Sequence, residues 1–268
     1  MSLSPPSPAP LTLRAAFVWG ALPVLVGAVL ALGVALTGVD EAWFRAGNAA
    51  AARLLPVFLW AGITNLGSAA CALALMTPVL AWRPRWIASM LLAAIPAACL
   101  TNTLKKIADT ARPAAVLALD EIHVIGQVLR TTSFPSGHTL TAFVLAGAVV
   151  LCVRRPVAWL MLLLAALVAF SRIAVGAHWP VDVFAGAACG WLMAALGVWG
   201  STRWRFWERV RGQRVIAALL FVTASSLYFL DLGYADGVWM QYLLGVWGGC
   251  GALYAWRRPA ALTLRGAR

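Results

Sequence analysis

The sequence has little negative charge and little charge of any kind. Charged residues make up 11% of the 268 residues and hydrophobic residues 62%, while Lys and Arg outnumber Asp and Glu by 21 to 9. This composition excludes an ordinary soluble globular domain. The arginines stand in short clusters between apolar runs, a pattern typical of membrane topology rather than of a nucleic-acid-binding surface. The sequence therefore predicts an all-α, polytopic membrane protein with no nucleic-acid partner.

Metal-binding patterns are also missing. The five cysteines lie in apolar runs without CxxC or CxxH spacing, so we interpret them as small buried side chains, with no zinc site and no disulfide. No carboxylate cluster accompanies the polar motifs described below, which predicts a site without magnesium or another cofactor. Histidine is scarce, with three residues, and the only lysines are Lys105 and Lys106. The positions of these rare residues are therefore informative.

Long apolar runs are plentiful. A helix that crosses ~30 Å of hydrocarbon needs about 20 residues. By this criterion we predict eight transmembrane helices, at residues 15–37, 56–81, 86–104, 139–153, 157–175, 180–199, 215–232 and 239–256. The predicted organisation is a disordered N-terminus at 1–14, a membrane domain at 15–256 and a basic tail at 257–268.

The basic residues predict the orientation of these spans. Arginine clusters occupy alternate connections, and tryptophans crowd the same boundary, so these connections belong on the cytoplasmic side. Both termini are then cytoplasmic. Counted at 1.5 Å per residue from that side, three polar motifs within residues 105–182 reach the opposite face. The compact loops and the composition favour a bacterial inner membrane, with these motifs facing the periplasm.

The first two motifs contain groups that bind anions. In K-K-I-A-D-T-A-R-P, Arg112 offers a planar fork and Lys105 a point charge to a phosphate, although both could simply anchor a helix end. In F-P-S-G-H-T, Ser136 and Gly137 stand where a helix begins. Their free backbone N–H groups and the helix dipole would form an anion pocket beside His138. A plain helix-start turn is the alternative interpretation.

The third motif, S-R-I-A-V-G-A-H-W-P-V-D, combines a histidine with an acid and a cation. His178 and Asp182 are four residues apart, and with Pro180 in the first helical turn they would share a helix face. The carboxylate could then accept from Nδ1–H and leave Nε2 free as a nucleophile. Arg172 could neutralise an anion as its charge grows. An interfacial His–Asp pair that caps the helix is the alternative.

Together, K-x6-R-P, P-S-G-H and S-R-x5-H-x3-D resemble the three-part signature of the type 2 phosphatidic acid phosphatase (PAP2) superfamily, which also includes vanadium haloperoxidases. Every signature position has a match, namely Lys105, Arg112 and Pro113, then Pro135, Ser136, Gly137 and His138, then Ser171, Arg172, His178 and Asp182. The resemblance implies a helix bundle with six core spans. The last two predicted spans would be additions to that core.

The resemblance also implies a role for each residue. The histidine that matches His178 attacks phosphorus and forms a phosphohistidine, oriented by the residue that matches Asp182. The histidine that matches His138 protonates the leaving oxygen. The residues that hold the phosphoryl oxygens match Lys105, Arg112, Ser136, Gly137 and Arg172. In the family this chemistry needs no metal.

We therefore predict a membrane lipid phosphatase that acts on a phosphomonoester or pyrophosphate of an amphiphilic lipid. Candidate substrates are undecaprenyl diphosphate, phosphatidate, phosphatidylglycerol phosphate and the phosphate of a lipopolysaccharide lipid. Two alternatives remain, a lipid-to-lipid phosphotransferase with the same site and a non-catalytic binding or transport protein. The intact His138, His178 and Asp182 argue against the second, and the apolar spans argue against a soluble haloperoxidase. His123 is interpreted as a loop residue without a catalytic role.

Overall fold

A computed structural model describes residues 13–153 and 156–260 of the chain. Within these residues the secondary structure is helical and contains no strand, so the predicted all-α class is confirmed. Most of the segment expected to be disordered, and most of the basic tail, lie outside the described residues. The α-helices are α1 Leu13–Thr37, α2 Asp40–Leu54, α3 Val57–Asn65, α4 Ala69–Met76, α5 Pro84–Ala108, α6 Pro113–Val116, α7 Gly137–Cys152, α8 Pro156–Ala174, α9 Pro180–Arg203, α10 Val210–Ser226 and α11 Val238–Arg257.

Four segments are long and apolar enough to cross a membrane. The protein is therefore a multi-pass membrane protein. The four segments are Val18–Thr37, Pro84–Val116, Pro156–Ala174 and Pro180–Arg203, and α2 with α3 would count as a fifth despite a bend of 115° between them. The count of eight remains a prediction. Two of the remaining predicted spans are short in the structure, because α7 has 16 residues and α10 has 17.

Proline and small residues shape the centre of the bundle. The helices α5, α6, α8 and α9 each begin at a proline, whose fixed φ suits the first helical turn. The central helix α9 packs against α1, α5 and α7. A Cβ at Gly190 would lie 2.3 Å from the carbonyl oxygen of Leu140, so only glycine allows α9 to approach α7 this closely.

Two features of the N-terminal half differ from the prediction. The run at 56–81 is not one helix, because it breaks between α3 and α4 and ends in a 3-10 helix, Thr77–Ala81. Ser68 starts α4 by accepting from the backbone N–H of Cys71 at 3.2 Å. In addition, α2 occupies a stretch that the sequence left as a connection. Its Asp40 side chain accepts from the backbone N–H of Val181, at the start of α9, at 2.9 Å.

The arginine-rich ends of α5 and α9 lie together, opposite the polar motifs. Arg85 at the start of α5 donates to Ser201 near the end of α9 at 3.3 Å. The 20 residues from Arg85 to Lys105 span ~30 Å at 1.5 Å per residue. This length equals the thickness of the hydrocarbon layer of a membrane.

The cysteines are not uniformly buried, which corrects the sequence interpretation. All five thiols are free, but only Cys71 is buried, whereas Cys99 and Cys250 are exposed on the outside of the bundle. An apolar run predicts that a residue lies in the membrane and not which way it faces. The exposed cysteines stand among the many exposed apolar side chains of these helices.

Candidate active site

The ends of four helices carry the three polar motifs to one place. Lys105 lies in the last turn of α5, His138 in the first turn of α7, Arg172 in the last turn of α8 and Asp182 in the first turn of α9. The connection from α6 to α7 runs across these ends. The structure therefore brings together residues that are up to 77 positions apart (105 to 182) in the sequence.

His178 and Asp182 form a buried pair. Nδ1 of His178 lies 3.2 Å from Oδ2 of Asp182, and the two side chains are 2% and 1% exposed. The same oxygen accepts from the Ser133 hydroxyl at 2.5 Å and from the backbone N–H of Trp179 at 3.0 Å. Several donors thus converge on one carboxylate oxygen, which fixes its position.

This pair does not form in the way that the sequence suggested. The helix α9 begins at Pro180, so His178 precedes the helix and does not share a helical face with Asp182. Instead, Asp182 is the third residue of α9 and folds back over the helix start to reach Trp179 and His178. The spacing of four residues is therefore bridged by a helix cap.

Arg112 is buried and defines the tautomer of His178. Its Nη1 lies 3.3 Å from Nε2 of His178 and donates to the carbonyl oxygen of Ala177 at 2.9 Å, while Nε donates to the carbonyl oxygen of Thr131 at 2.8 Å. Because arginine is only a donor, Nε2 of His178 must accept and the ring proton must be on Nδ1, facing Asp182. Nε2, the nitrogen that the sequence predicts to attack phosphorus, therefore carries a lone pair and faces the guanidinium of Arg112.

Lys105 and Arg172 add positive charge around this pair. Nζ of Lys105 donates to the carbonyl oxygen of Thr132 at 2.5 Å. Arg172 is 2% exposed, and its Nη1 donates to the hydroxyls of Thr64 and Tyr234. Its Nε has no hydrogen-bond partner among the described residues, and a buried donor without a partner is costly unless a ligand satisfies it.

Charge and burial act together on His178, which lies in the connection between α8 and α9. Burial, followed by the positive charges of Arg112, Arg172 and Lys105, lowers the pKa of His178 well below its ordinary value. The imidazole is therefore neutral at pH 7, which is the form that has a free lone pair on Nε2.

The start of α7 is partly different from the prediction. Ser136 caps the helix, because its hydroxyl oxygen accepts from the Thr139 hydroxyl at 3.0 Å and from the Thr139 backbone N–H at 3.4 Å. The backbone N–H of Ser136 is not free for an anion, since it donates to the carbonyl oxygen of Asp182 at 3.0 Å. As the residue that caps α7, Ser136 has an extended backbone, and this conformation turns its own N–H towards α9. The N–H of Gly137 and the hydroxyl proton of Ser136 remain candidate donors.

His138 lies beside the break between α3 and α4. A Cβ at Gly67 would be 2.7 Å from Cβ of His138, so the chain passes directly against this side chain. The Nε2 atom of His138 is buried and has no hydrogen-bond partner within the described part of the chain. A ligand that brings an oxygen to this atom would satisfy it.

An apolar groove begins at His138. The cavity has a volume of about 370 Å³ and lies between α4, α5 and α7. Along α5 it extends from Asn102 to Met90, a length of ~18 Å at 1.5 Å per residue, and its walls include Ala94 and Ala98. A hydrocarbon chain matches the length and the apolar lining of this groove.

Sequence reasoning missed three residues of this site, Ser133, Thr64 and Tyr234. Ser133 contacts both members of the His–Asp pair, and the other two hold Arg172. Ser133 stands two residues before Pro135, the first signature residue of the second motif, where no spacing pattern distinguishes it. His123, in contrast, contributes through its backbone, which exchanges hydrogen bonds of 2.7 and 2.8 Å with the side chain of Asn48.

Comparisons with known proteins agree with the motifs. The family model of the PAP2 superfamily matches residues 86–207. The chain is 40% identical over 74 residues to the bacitracin transport permease protein BcrC of Bacillus licheniformis, and the aligned segment covers 28% of this chain and 36% of that protein. It is 47% identical over 70 residues to the undecaprenyl-diphosphatase of Sulfolobus acidocaldarius, and here the aligned segment covers 25% of this chain and 29% of that protein. The match therefore spans about a third of each of these curated relatives.

Two crystal structures resemble the fold over more of their length. LpxE of Aquifex aeolicus superposes with a TM-score of 0.52 and 27% identity, covering 62% of this chain and 96% of that one. A transmembrane PAP2-type phosphatidylglycerolphosphate phosphatase of Bacillus subtilis superposes with a TM-score of 0.51 and 22% identity, covering 69% of this chain and 96% of that one, and this likeness concerns the fold alone. The family match over residues 86–207, the fold and the three complete motifs agree: this chain is similar to proteins of the PAP2 superfamily.

Proposed function

We propose that this protein is a membrane lipid phosphatase that removes a phosphoryl group from a lipid phosphomonoester or pyrophosphate. The observation that carries the proposal is the position of Nε2 of His178, a buried and neutral acceptor that faces Arg112 among three cations. Cations around a nucleophile suit a phosphoryl group, whose negative charge they stabilise as it is transferred. The groove that starts at His138 suits the lipid chain, so head and tail would lie in adjoining spaces.

In the first step, the lone pair of Nε2 attacks phosphorus and the bond between phosphorus and the lipid oxygen breaks. His138 gives its proton to that oxygen, and the phosphate charge favours the protonated form of His138 before the transfer. The product is a phosphohistidine, whose positive ring is stabilised through Nδ1–H by Asp182. Ser133 holds the carboxylate in place through its short hydrogen bond.

In the second step, water attacks phosphorus and the bond between phosphorus and Nε2 breaks. His138, which is neutral after the first step, takes the proton of the attacking water. Inorganic phosphate leaves, and His178 returns to its neutral state. Lys105, Arg112 and Arg172 stabilise the phosphoryl oxygens in both steps, together with the donors of Ser136 and Gly137.

We further propose that the site faces the periplasm of a bacterial inner membrane. The argument is the gathering of arginine-rich helix ends at the opposite end of the bundle. The undecaprenyl-diphosphatase among the relatives makes a polyprenyl pyrophosphate the first substrate to test.

The experiment is phosphate release by the purified protein in nanodiscs from a panel of polyprenyl pyrophosphates and phospholipid monophosphates. Wild type should release inorganic phosphate in proportion to lipid dephosphorylated, and His178→Ala should not. Transfer of labelled phosphate to a second lipid, without release, would instead identify the phosphotransferase. Absence of both reactions across the panel, with a folded protein, contradicts the proposal and favours a binding or transport protein, as the name of one relative suggests.

We also propose that the reaction is independent of metal ions, because cationic side chains supply the charge stabilisation. Hydrolysis should persist in excess EDTA and be inhibited by vanadate, which adopts the five-coordinate geometry of phosphoryl transfer. Loss of activity on chelation that magnesium restores would contradict this assignment of the anion site.

A further inference from the structure

Arg172 is clamped by two neutral hydroxyls. Its Nη1 donates to Oγ1 of Thr64 and to the hydroxyl of Tyr234, the latter at 2.9 Å, so both hydrogens on this nitrogen are used. The guanidinium carbon also lies 5.6 Å from the centroid of the Tyr234 ring. The Nε–H, in contrast, has no partner among the described residues. One edge of the guanidinium is thus fixed by the protein, and the other edge is available to a ligand.

Both hydroxyls come from outside the segment that matches the family. Thr64 lies near the end of α3 and is fully buried, and Tyr234 lies in the connection between α10 and α11 and is 6% exposed. The family match covers residues 86–207. The residues that hold Arg172 are therefore supplied by the N-terminal helices and by the C-terminal helix pair.

The connection between α10 and α11 is tied down on two sides. The backbone N–H of Gln127 donates to the carbonyl oxygen of Gly233 at 2.9 Å, and Nδ2 of Asn65 donates to the carbonyl oxygen of Gly237 at 3.0 Å. The Tyr234 ring packs in a buried cluster with Trp60, Ile125 and Val175. This packing fixes the hydroxyl of Tyr234 against Arg172.

We propose that Thr64 and Tyr234 are positioning residues that orient Arg172 towards the phosphoryl group, so that the α10–α11 pair is part of the active site. The proposal rests on the proposed function of that site. A neutral hydroxyl suits this role better than a carboxylate, because it holds the guanidinium without neutralising its charge. An Asp or Glu at either position would compete with phosphate for the same donors.

The test compares Tyr234→Phe and Thr64→Val with matched variants in the full-length protein in nanodiscs. Tyr242→Phe removes a hydroxyl from an exposed tyrosine of α11, and Thr223→Val removes a hydroxyl that donates to the carbonyl oxygen of Leu219 within α10. A hydrogen bond to a charged group is worth a factor of roughly 10 to 100 in an equilibrium or rate constant. We expect such a fall in kcat for Tyr234→Phe and Thr64→Val, with weaker vanadate inhibition and a smaller change in KM. The two matched variants should stay within about twofold of wild type.

A double-mutant cycle separates positioning from general loss of structure. In an Arg172→Ala background, Tyr234→Phe should cause no further loss, because its effect passes through Arg172. Thr64→Ser, which keeps the hydroxyl, should retain wild-type activity. Multiplied losses in the double mutant, or unchanged kcat in both Tyr234→Phe and Thr64→Val, would overturn the proposal.

Binding of vanadate, measured through the unfolding temperature, tests the proposal even if no substrate is turned over. Vanadate should raise the unfolding temperature of wild type and of Tyr242→Phe more than that of Tyr234→Phe, each measured against its own anion-free sample. If wild type hydrolyses no lipid phosphate, the proposed function fails, while this comparison still decides whether Tyr234 orients Arg172 for an anion. Equal vanadate shifts in Tyr234→Phe and wild type would overturn the inference alone.

Discussion

At the scale of single residues, the two histidines differ in their surroundings. His178 has partners at both ring nitrogens, with Asp182 at Nδ1 and Arg112 at Nε2. The buried Nε2 of His138 has no partner among residues 13–153 and 156–260, and it lies beside the groove proposed for the lipid. The first environment suits a nucleophile held in one tautomer, and the second suits an acid that meets the leaving oxygen of the lipid.

This difference predicts that the leaving group distinguishes the two histidines. A general acid contributes typically ~10²–10⁴-fold, and this help matters less when the departing oxygen is already a weak base. His138→Ala should therefore be severely impaired on a lipid alkyl phosphate and recover much of its relative kcat/KM on an aryl phosphate. His178→Ala should be inactive on both, because every substrate needs the nucleophile.

The control is membrane-inserted, folded protein for both variants, with kcat/KM expressed relative to wild type for each substrate. Equal losses of His138→Ala on the two substrates, or selective recovery of His178→Ala, would show that the acid and the nucleophile are assigned incorrectly.

The charged and imidazole side chains of the polar centre could be recognised in the sequence, whereas the residues that support them could not. His178, Asp182 and Arg112 stand out because charged residues are costly in apolar sequence. Ser133, Thr64 and Tyr234 carry neutral hydroxyls, and they reach the site only because two connections and the end of α3 fold over it. Such contacts depend on tertiary structure, so no local spacing encodes them.

At the scale of helices, the groove between α4, α5 and α7 depends on small side chains along α5. Ala94 and Ala98 line it and are themselves exposed, whereas the neighbouring Ile95, which is 75% exposed, does not line it. Sequence patterns located α5 well, because its apolar run is long. They did not locate the break between α3 and α4, which sets one wall of the groove, since the run at 56–81 is apolar throughout.

The groove predicts that Ala94→Phe impairs long-chain substrates selectively. Ala94 lies eight residues from Asn102, ~12 Å along α5, so a phenyl ring there would block only the deeper part. Excluding about three methylenes at ~0.8 kcal/mol each should lower kcat/KM more than tenfold for a long-chain lipid phosphate. A short-chain, water-soluble phosphate ester should react at the wild-type rate.

Ile95→Phe is the matched control, because it adds a ring one residue away on the outer surface of the same helix. Equal effects of Ala94→Phe on long and short substrates, or an equal effect of Ile95→Phe, would contradict binding of the lipid chain in this groove.

At the scale of the whole molecule, the candidate active site and the arginine-rich connections lie at opposite ends of the bundle. The site gathers at one end of α5 and α9, and Arg85 contacts Ser201 at the other. The sequence predicted this polarity through the alternation of arginine clusters, because every span reverses the direction of the chain. It did not predict α2, because the charged residues of this segment suggested a connection outside the membrane. In the structure, Asn48 of α2 donates to the backbone carbonyl oxygens of His123 and Ala174.

The orientation predicts which positions an impermeant thiol reagent reaches from outside intact cells. In a variant without the five native cysteines, single cysteines at Asp120 and Asp236, both exposed, should react. A cysteine at the exposed Arg209 should react only after the membrane is permeabilised. The reverse pattern would place the site on the cytoplasmic side.

The most direct test of the account is capture of the phosphoryl group on His178 during turnover. Wild type mixed with a lipid phosphate labelled on phosphorus, then quenched in base to preserve phosphohistidine, should carry an acid-labile label on the peptide that contains His178. His178→Ala should carry none, and an excess of unlabelled substrate added before the quench should remove the label from wild type. Turnover that releases phosphate while every rapidly quenched sample remains unlabelled at His178 would contradict the account.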